Sequence, residues 1–229
     1  MPLLILALVA ALLAIVFGPS WWVKRIMTRY SAPADRYPGT GGELARHLLD
    51  QLDLADVGAE ITEQGDHYDP DAKCVRLTPD KFNGRSLTAI TVAAHEVGHA
   101  HQDATGYVPL KWRTRLVKIA APGERFGAAI LMLAPLVTVA TRAPVAGGLM
   151  LLGGFLVLGL STLIHLITLP MELDASFGRA LPLLEKGDFL QPGDEPHARK
   201  LLKAAALTYV SVSLVSLLNV GRWWAILRR

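Results

Sequence analysis

Four apolar stretches, separated by polar sequence, dominate the pattern of the chain. They cover residues 2–23, about 126–141, 143–169 and about 204–220. A helix needs about 20 predominantly apolar residues to cross a ~30 Å hydrocarbon core, and these stretches approach or exceed that length. The pattern therefore predicts four membrane-spanning helices. The second and third should form a tight hairpin, because only residues 141–144 join them.

Two polar regions, 24–125 and 171–203, lie on the same side of the membrane if this hairpin forms. They hold 14 and 5 of the 23 Lys and Arg residues, whereas the hairpin loop has Arg142 alone. Because positively charged loops stay preferentially in the cytoplasm, the charge pattern places both regions there. The basic residues after residue 220 would lie outside if the fourth span crosses fully, so either this tail tolerates the cost or the fourth span is only partly embedded.

The composition agrees with a membrane environment. Hydrophobic residues make up 52% of the chain and charged residues only 19%, below the quarter that is usual in soluble domains. The net charge of +3 is small, and the basic residues flank apolar stretches, so no nucleic-acid partner is predicted. The single cysteine, Cys74, excludes an internal disulfide.

The segment from residue 86 to residue 103 combines histidines with an alanine-rich composition that favours a helix. Ser86 can cap the start of this helix. His95 and His99 are four positions apart and therefore share a face. Two neutral imidazoles on one face can bind a single zinc ion. Glu96 lies on an adjacent face, where it can take a proton from a water molecule at the metal.

A histidine-rich helical face without a metal is the simpler alternative for this segment. Against it, the residues around the two histidines are uncharged apart from Glu96, as expected for a buried helix. His101 is a further candidate ligand, but it lies about 200° around the helix from His99 and faces away. The His-Glu-x-x-His pattern therefore predicts a zinc site that includes His95 and His99.

A catalytic zinc site needs a third protein ligand and leaves one position open for water. Several carboxylates are available, and so are four other histidines: His47, His67, His165 and His197. Glu172 is the strongest candidate, because it lies between apolar neighbours just after Pro170, where a new helix can start. The alternative is that Glu172 and Asp174 only interact favourably with a helix N-terminus.

Several segments resemble, in the same order, those of the YugP-like family of bacterial zinc metallopeptidases, which are membrane proteins. They are GELAR at 42–46, DHYDP at 66–70, VRL at 75–77, AAHEVGHA at 93–100, TLPMELDAS at 168–176 and AALTYV at 205–210. The resemblance covers almost the whole chain and implies a zinc peptidase with a glutamate ligand. It carries over His95, His99 and Glu172 as ligands of one catalytic zinc ion, and Glu96 as the general base.

A more distant resemblance is to the HtpX-type and CAAX-prenyl membrane proteases. Their third-ligand segment reads Glu-x-x-Ala-Asp, whereas this chain has serine at the last position, Ser176. Two residues could take over the orienting role of the missing aspartate. One is Ser176 itself, as a weaker hydrogen-bonding group, and the other is Asp174 from another face.

Two residues are candidates for stabilising an oxyanion, which needs a donor near the carbonyl oxygen of the substrate. Arg179 lies two helical turns after Glu172, and Tyr209 lies near the start of the fourth apolar stretch. The alternative for Arg179 is pairing with a carboxylate, and for Tyr209 it is a place at the membrane interface.

The stretch 57–78 predicts two strands, at 57–61 and 74–77, around a polar turn that contains His67. We expect residues 73–77 to form an edge strand on which an extended substrate could lie. A neighbouring strand covering this segment would refute that expectation. His67 is expected to serve the turn, with a position at the rim of the site as the alternative.

Together these observations predict a mainly α-helical membrane protein with about four transmembrane helices and a small α+β zincin-like unit of the gluzincin type. The predicted divisions are an anchor (1–23), a zincin-like region (24–125), a transmembrane hairpin (126–170), a third-ligand helix with a loop (171–203) and a C-terminal membrane helix (204–229).

The predicted function is a membrane-embedded zinc endopeptidase of the plasma or inner membrane, with its active site facing the cytoplasm. A zinc-activated water would hydrolyse peptide bonds of membrane or membrane-proximal proteins. Its predicted partners are a polypeptide substrate and the lipid bilayer. The alternative is a catalytically idle, zinc-stabilised scaffold or chaperone-like binder, against which the presence of Glu96 argues.

Overall fold

The computed structural model describes residues 2–218, although not every side chain of its long helices, and it is mainly helical. The α-helices are α1 (Pro2–Arg29), α2 (Gly41–Gln51), α3 (Pro79–Phe82), α4 (Leu87–Ala104), α5 (Val108–Thr141), α6 (Pro144–Ile167), α7 (Leu169–Leu173), α8 (Leu181–Lys186) and α9 (Glu195–Leu218). A π-helix (Asp174–Ala180) joins α7 to α8. The strands are β1 (Gly58–Ile61), β2 (His67–Asp69) and β3 (Cys74–Leu77).

The chain divides into two compact units. The first comprises Met1–Ser20, Trp112–Thr168 and Tyr209–Arg229, and the second comprises Trp21–Lys111 and Leu169–Thr208. The second unit contains the three strands, and it contains all the residues predicted for the site apart from Tyr209. The candidate site can therefore be described within this unit alone.

The prediction of a protein with four membrane-spanning helices is wrong for this structure. Over the described residues, no helix is both long enough and apolar enough to cross a membrane. The apolar stretches do lie in helices, but a span needs about 20 predominantly apolar residues in succession, and not every one of these helices offers them. Helix α5, for example, has Pro122 and Pro135 inside it and charged residues along its first half.

The fold class is therefore corrected to a mainly helical protein with a small sheet. The multi-pass membrane localisation and the cytoplasmic orientation rested on the four spans, and they lose their support with them. The last part of the predicted C-terminal membrane helix, residues 219–229, lies outside the described residues.

The sheet of the second unit also differs from the prediction. Strand β3 lies in the centre, parallel to β1 on one side and antiparallel to β2 on the other. The expectation of a substrate-binding edge strand at 73–77 is therefore wrong. Strand β2 occupies the stretch that was predicted as a turn. The charged residue Asp69 of β2 does not mark a turn. It pairs with Arg76 of β3, which also pairs with Glu60 of β1.

The core of the second unit is built around helix α4. Every residue of this helix from Leu87 to Ala100 is buried. Apolar side chains from α2, β3, α4, α8 and α9 form one cluster, and its largest fully buried members are Leu48, Leu49, Val75, Leu77, Val97, Leu184, Leu201 and Leu202. Each buried leucine contributes roughly 1.5–3 kcal/mol. The cluster therefore holds α4 firmly in the middle of the unit.

Asp194 ties the start of α9 to the segment that follows α1. Its main-chain oxygen accepts hydrogen bonds from the amides of His197 (2.9 Å) and Ala198 (2.8 Å) in the first turn of α9. Its buried carboxylate accepts two hydrogen bonds from the Arg36 guanidinium, at 2.6 and 2.7 Å, and one from the Tyr37 hydroxyl at 2.6 Å. Burial opposes ionisation, but these donors hold the pKa of Asp194 below its ordinary value.

We expect Asp194→Asn to lower the free energy of unfolding by about 2–3 kcal/mol at pH 7, because hydrogen bonds to a charged group are lost. Since the pKa of Asp194 is lower in the folded state, its carboxylate stabilises the fold above the unfolded pKa of about 3.9. This contribution is lost as the pH falls through the folded value.

Urea unfolding at pH 7 and at about pH 3 measures this effect. The difference between wild type and Asp194→Asn should shrink at the lower pH. The exposed neighbour Asp35 provides a matched control, since Asp35→Asn should change stability by less than about 0.5 kcal/mol. Equal stabilities of wild type and Asp194→Asn at pH 7 would contradict the assignment.

Candidate metal centre

Helix α4 places two imidazoles inside the second unit. Ser86 begins the helix by accepting a hydrogen bond from the amide of Ala89 (3.2 Å). His95 and His99 follow one turn apart, with ring centroids separated by 4.8 Å and ring planes at 76°. Both side chains are buried. The four-residue spacing therefore directs two potential ligands into the same buried region.

The third member of this group, Glu172, comes from helix α7. One of its carboxylate oxygens, Oε2, lies 3.4 Å from Nε2 of His95 and 3.1 Å from Nε2 of His99. Only 1% of the surface of Glu172 is exposed. The three residues each offer a ligand atom, and these atoms lie within 4.8 Å of one another. Zinc binds such nitrogen and oxygen atoms at about 2.0–2.2 Å, so the group can surround one ion.

The glycine in the motif allows the two elements to approach closely. A Cβ atom at Gly98 would lie only 2.6 Å from the carbonyl oxygen of Ala175 in the π-helix. Any side chain at this position would therefore force the π-helix away from α4. Since Glu172 lies just before the π-helix, the separation between the carboxylate and the two histidines depends on this contact.

Ser176 of the π-helix contacts the far side of the His95 ring. Its Oγ lies 3.0 Å from Nδ1 of His95 and donates to the carbonyl oxygen of Leu202, also at 3.0 Å. A hydroxyl has a single proton, so Oγ must accept from His95. The proton of His95 is therefore on Nδ1, and the Nε2 lone pair faces Glu172.

This arrangement fits a cation. With its proton on Nδ1, His95 directs an acceptor nitrogen at the carboxylate of Glu172, which is itself an acceptor. The second carboxylate oxygen, Oε1, is buried and has no hydrogen-bond partner among the described residues. Unpaired buried acceptors are unfavourable. A divalent ion between the nitrogens and the carboxylate would satisfy them, and two histidines with one glutamate are a known zinc donor set.

A family model described as "Putative neutral zinc metallopeptidase" matches residues 4–228 of the chain. The chain belongs to this family. The "Putative membrane protease YugP" of Bacillus subtilis (strain 168) is 36% identical over 224 residues, which cover 96% of this chain and 95% of that protein. No solved structure matches the chain. The resemblance inferred from the sequence is thus confirmed, and the family implies a zinc ion and a polypeptide substrate.

The ionisable side chains at the site of this zinc metallopeptidase change one another's pKa values. Burial opposes ionisation of Glu172, but its interaction with His99, followed by that with His95, holds its pKa well below the ordinary range. Burial lowers the pKa of His99, yet the negative charge of Glu172, 3.1 Å from Nε2, outweighs this effect and raises that pKa to about 8. Burial raises the pKa of Glu96. Two carboxyl groups near the same imidazoles are thus shifted in opposite directions.

The other predicted supporting residues have partners elsewhere. Arg179 donates a hydrogen bond to Asp174 (3.0 Å) and lies over the ring of Tyr107, 5.5 Å from its centroid. His67 contacts the carbonyl oxygen of Gly65 through Nδ1 at 2.8 Å. The side chains of Tyr209 and His165 lie outside the described residues.

The remaining histidines do not join the ligand group over the part of the chain that the structure describes. His47 packs edge-to-face against Phe189, and His197 lies 3.2 Å from the hydroxyl of Tyr30. His101 is on the motif helix, but it is not a member of the group of potential ligands.

Sequence reasoning missed Gln102. This residue is fully buried, and its Oε1 lies 3.0 Å from Nδ1 of His99. The spacing between His99 and Gln102 could have indicated this contact, since residues three apart on a helix are neighbours. An uncharged polar residue at that distance from a predicted ligand, in a buried helix, could have been identified as its partner.

We expect Glu172→Ala to weaken zinc binding by more than the 10–100-fold that is typical when a residue only orients a ligand. The reason is that the substitution removes one of three proposed ligands. Competition with a chromophoric chelator measures the affinity, and circular dichroism of the zinc-free proteins checks the fold. The exposed Glu63 gives the matched control Glu63→Ala. Wild-type affinity in Glu172→Ala would exclude Glu172 as a ligand.

Proposed function

We propose that this zinc metallopeptidase is an endopeptidase of the gluzincin type, in which His95, His99 and Glu172 hold one zinc ion. The observation that carries the proposal is the convergence of these three buried side chains, with ligand atoms within 4.8 Å of one another. The donor set of two histidines and one glutamate leaves a fourth zinc position for water. When bound, the ion would lower the pKa of that water and polarise the carbonyl of a peptide substrate.

Glu96 is the proposed general base. It follows His95 directly on helix α4 and is buried. Burial raises the pKa of its carboxyl group, which makes the carboxylate a stronger base. Glu96 would take a proton from the attacking water and deliver it to the nitrogen of the leaving amine.

The histidines serve the same reaction by staying neutral and fixed. Each must direct the Nε2 lone pair at the metal, which requires the proton to be on Nδ1. For His95 the hydroxyl of Ser176 accepts that proton in a hydrogen bond. Ser176 is therefore the proposed orienting residue in place of an aspartate.

The substrate is proposed to be a polypeptide, in agreement with the family. A preference for membrane or membrane-proximal proteins, expected from the apolar stretches of the chain, stays a prediction. A digest that contains both membrane-derived and water-soluble polypeptides tests it directly, because mass spectrometry of the products identifies which polypeptides are cleaved.

We expect Glu96→Gln to retain zinc and to lose at least about 100-fold in peptide cleavage, since general-base catalysis contributes about 10²–10⁴-fold. The substitution keeps the shape of the side chain but removes the basic oxygen. Zinc content by elemental analysis and cleavage products by mass spectrometry are the two measurements. The exposed Glu63 again provides a control, because Glu63→Gln should cleave as fast as wild type.

Two outcomes would oppose the proposal in different ways. Equal cleavage by wild type and Glu96→Gln would exclude the proposed base. Zinc binding in both proteins without cleavage by either would favour the idle zinc-stabilised scaffold.

A further inference from the structure

Gln102 is a fully buried polar side chain near the candidate site that the proposed reaction does not use. It lies on α4 (Leu87–Ala104), three residues after His99, with none of its surface exposed. A buried amide is unfavourable unless its polar atoms are hydrogen-bonded. Gln102 makes three such contacts, to His99 on its own helix and to Met171 and Asp174 on the segment that carries Glu172.

The two contacts of the amide nitrogen fix the direction of the amide. Nε2 donates one hydrogen bond to the carbonyl oxygen of Met171 (2.9 Å) and one to Oδ2 of Asp174 (2.7 Å). Both partners are acceptors only, so the nitrogen must face them. A flipped amide would place its oxygen against two other oxygens. The oxygen of Gln102 therefore faces His99.

Asp174 is itself held in place. Its Oδ2 accepts a second hydrogen bond from Nε of Arg179 (3.0 Å), and the Arg179 guanidinium lies over the ring of Tyr107. In this ion pair Oδ2 of Asp174 faces two N–H donors, from Arg179 and from Gln102, and acts only as an acceptor. The amide direction of Gln102 is thus imposed by charged and main-chain groups.

The amide direction determines which nitrogen of His99 carries the proton. Oε1 of Gln102 lies 3.0 Å from Nδ1 of His99, and an amide oxygen can only accept. His99 must therefore donate from Nδ1, which leaves Nε2, 3.1 Å from Glu172, free to bind a metal ion. His95 is oriented in the same sense by a different group, the hydroxyl of Ser176.

We infer that Gln102 is a positioning residue for metal binding. Its amide oxygen holds His99 with the proton on Nδ1 and the Nε2 lone pair toward the ion. Its amide nitrogen, bound to Met171 and Asp174, keeps that oxygen turned toward His99. Met171 directly precedes Glu172 in the chain, so the same side chain links one proposed ligand to the segment of another. The inference rests on the proposed role of His99 as a zinc ligand.

Two variants separate this role from simple packing between α4 and the neighbouring segment. Gln102→Met keeps the length of the side chain but removes all three hydrogen bonds. Gln102→Glu keeps an acceptor for His99 and loses the amide donors. Because a carboxylate offers two acceptor oxygens, it does not need Met171 and Asp174 to turn it toward His99. Gln51→Met, at the exposed end of α2 (Gly41–Gln51), is the matched control.

Zinc affinity is measured by chelator competition, and the Nδ1 proton of His99 is followed by NMR of the zinc-loaded proteins. The signal is assigned by its absence in His99→Ala. Wild type should show a downfield, slowly exchanging proton, as expected for a buried hydrogen bond. Gln102→Met should lose or shift this signal and bind zinc about 10–100-fold more weakly. Gln102→Glu should keep a downfield proton and bind zinc more tightly than Gln102→Met.

The outcomes that overturn the inference are distinct from those that overturn the proposed function. An unchanged His99 proton and unchanged zinc affinity in Gln102→Met would overturn the inference alone. So would Gln102→Glu binding zinc as weakly as Gln102→Met, because a purely structural link would suffer equally in both. If Gln102→Met does not fold, loss of the His99 proton signal in Gln102→Glu overturns it. Failure of the wild-type chain to bind zinc would overturn both proposals.

Discussion

A Cβ atom at Gly98 would lie 2.6 Å from the carbonyl oxygen of Ala175, so helix α4 and the π-helix meet at a distance that only glycine allows. This close approach is the constraint on which the candidate site depends. It lies within the motif, next to His99, and the opposing segment carries Glu172 just before the π-helix. A wider separation would move the carboxylate of Glu172 away from the two imidazoles, and the three side chains would no longer surround one point.

The electrostatics of the site follow from burying several ionisable groups together. Removing a carboxylate from water is costly unless a charge or hydrogen bonds compensate. Glu172 finds compensation in His95 and His99, and its pKa is held low. Glu96 is buried with less compensation, and its pKa is raised. Two carboxyl groups whose environments shift their pKa values in opposite directions are suited to different roles, here a ligand and a base.

The sequence predicted the site best where the helical repeat alone determines which side chains share a face. The four-residue spacing of His95 and His99 on an alanine-rich segment is sufficient to predict that both lie on one face of a helix. Glu172 could not be found by spacing, because it is 73 residues from His99. Its position after Pro170 and the family resemblance identified it as a candidate.

The predictions that were wrong, and the residue that was missed, have physical explanations. The stretch of strand β2 was predicted as a turn because Gly-Asp and Asp-Pro pairs are typical of turns, whereas Asp69 takes part in a cross-strand ion pair with Arg76. The membrane spans were predicted from the apolar character of stretches of sequence, and no described helix meets the length and hydropathy that a span requires. The contact of Gln102 with His99 could have been predicted from their spacing, but its contacts with Met171 and Asp174 could not, because the fold brings these residues together across some 70 residues of sequence.

X-ray absorption at the zinc edge tests most directly whether these side chains form a metal centre. The wild-type chain would be loaded with an equimolar amount of zinc. The predicted nearest neighbours are two imidazole nitrogens at about 2.0–2.1 Å and oxygen ligands at about 2.0–2.2 Å, from Glu172 and water. His95→Ala should remove about half of the imidazole scattering. A sulfur neighbour, for which Cys74 is the only cysteine in the chain, or fewer than two imidazoles in the wild-type spectrum would contradict the account.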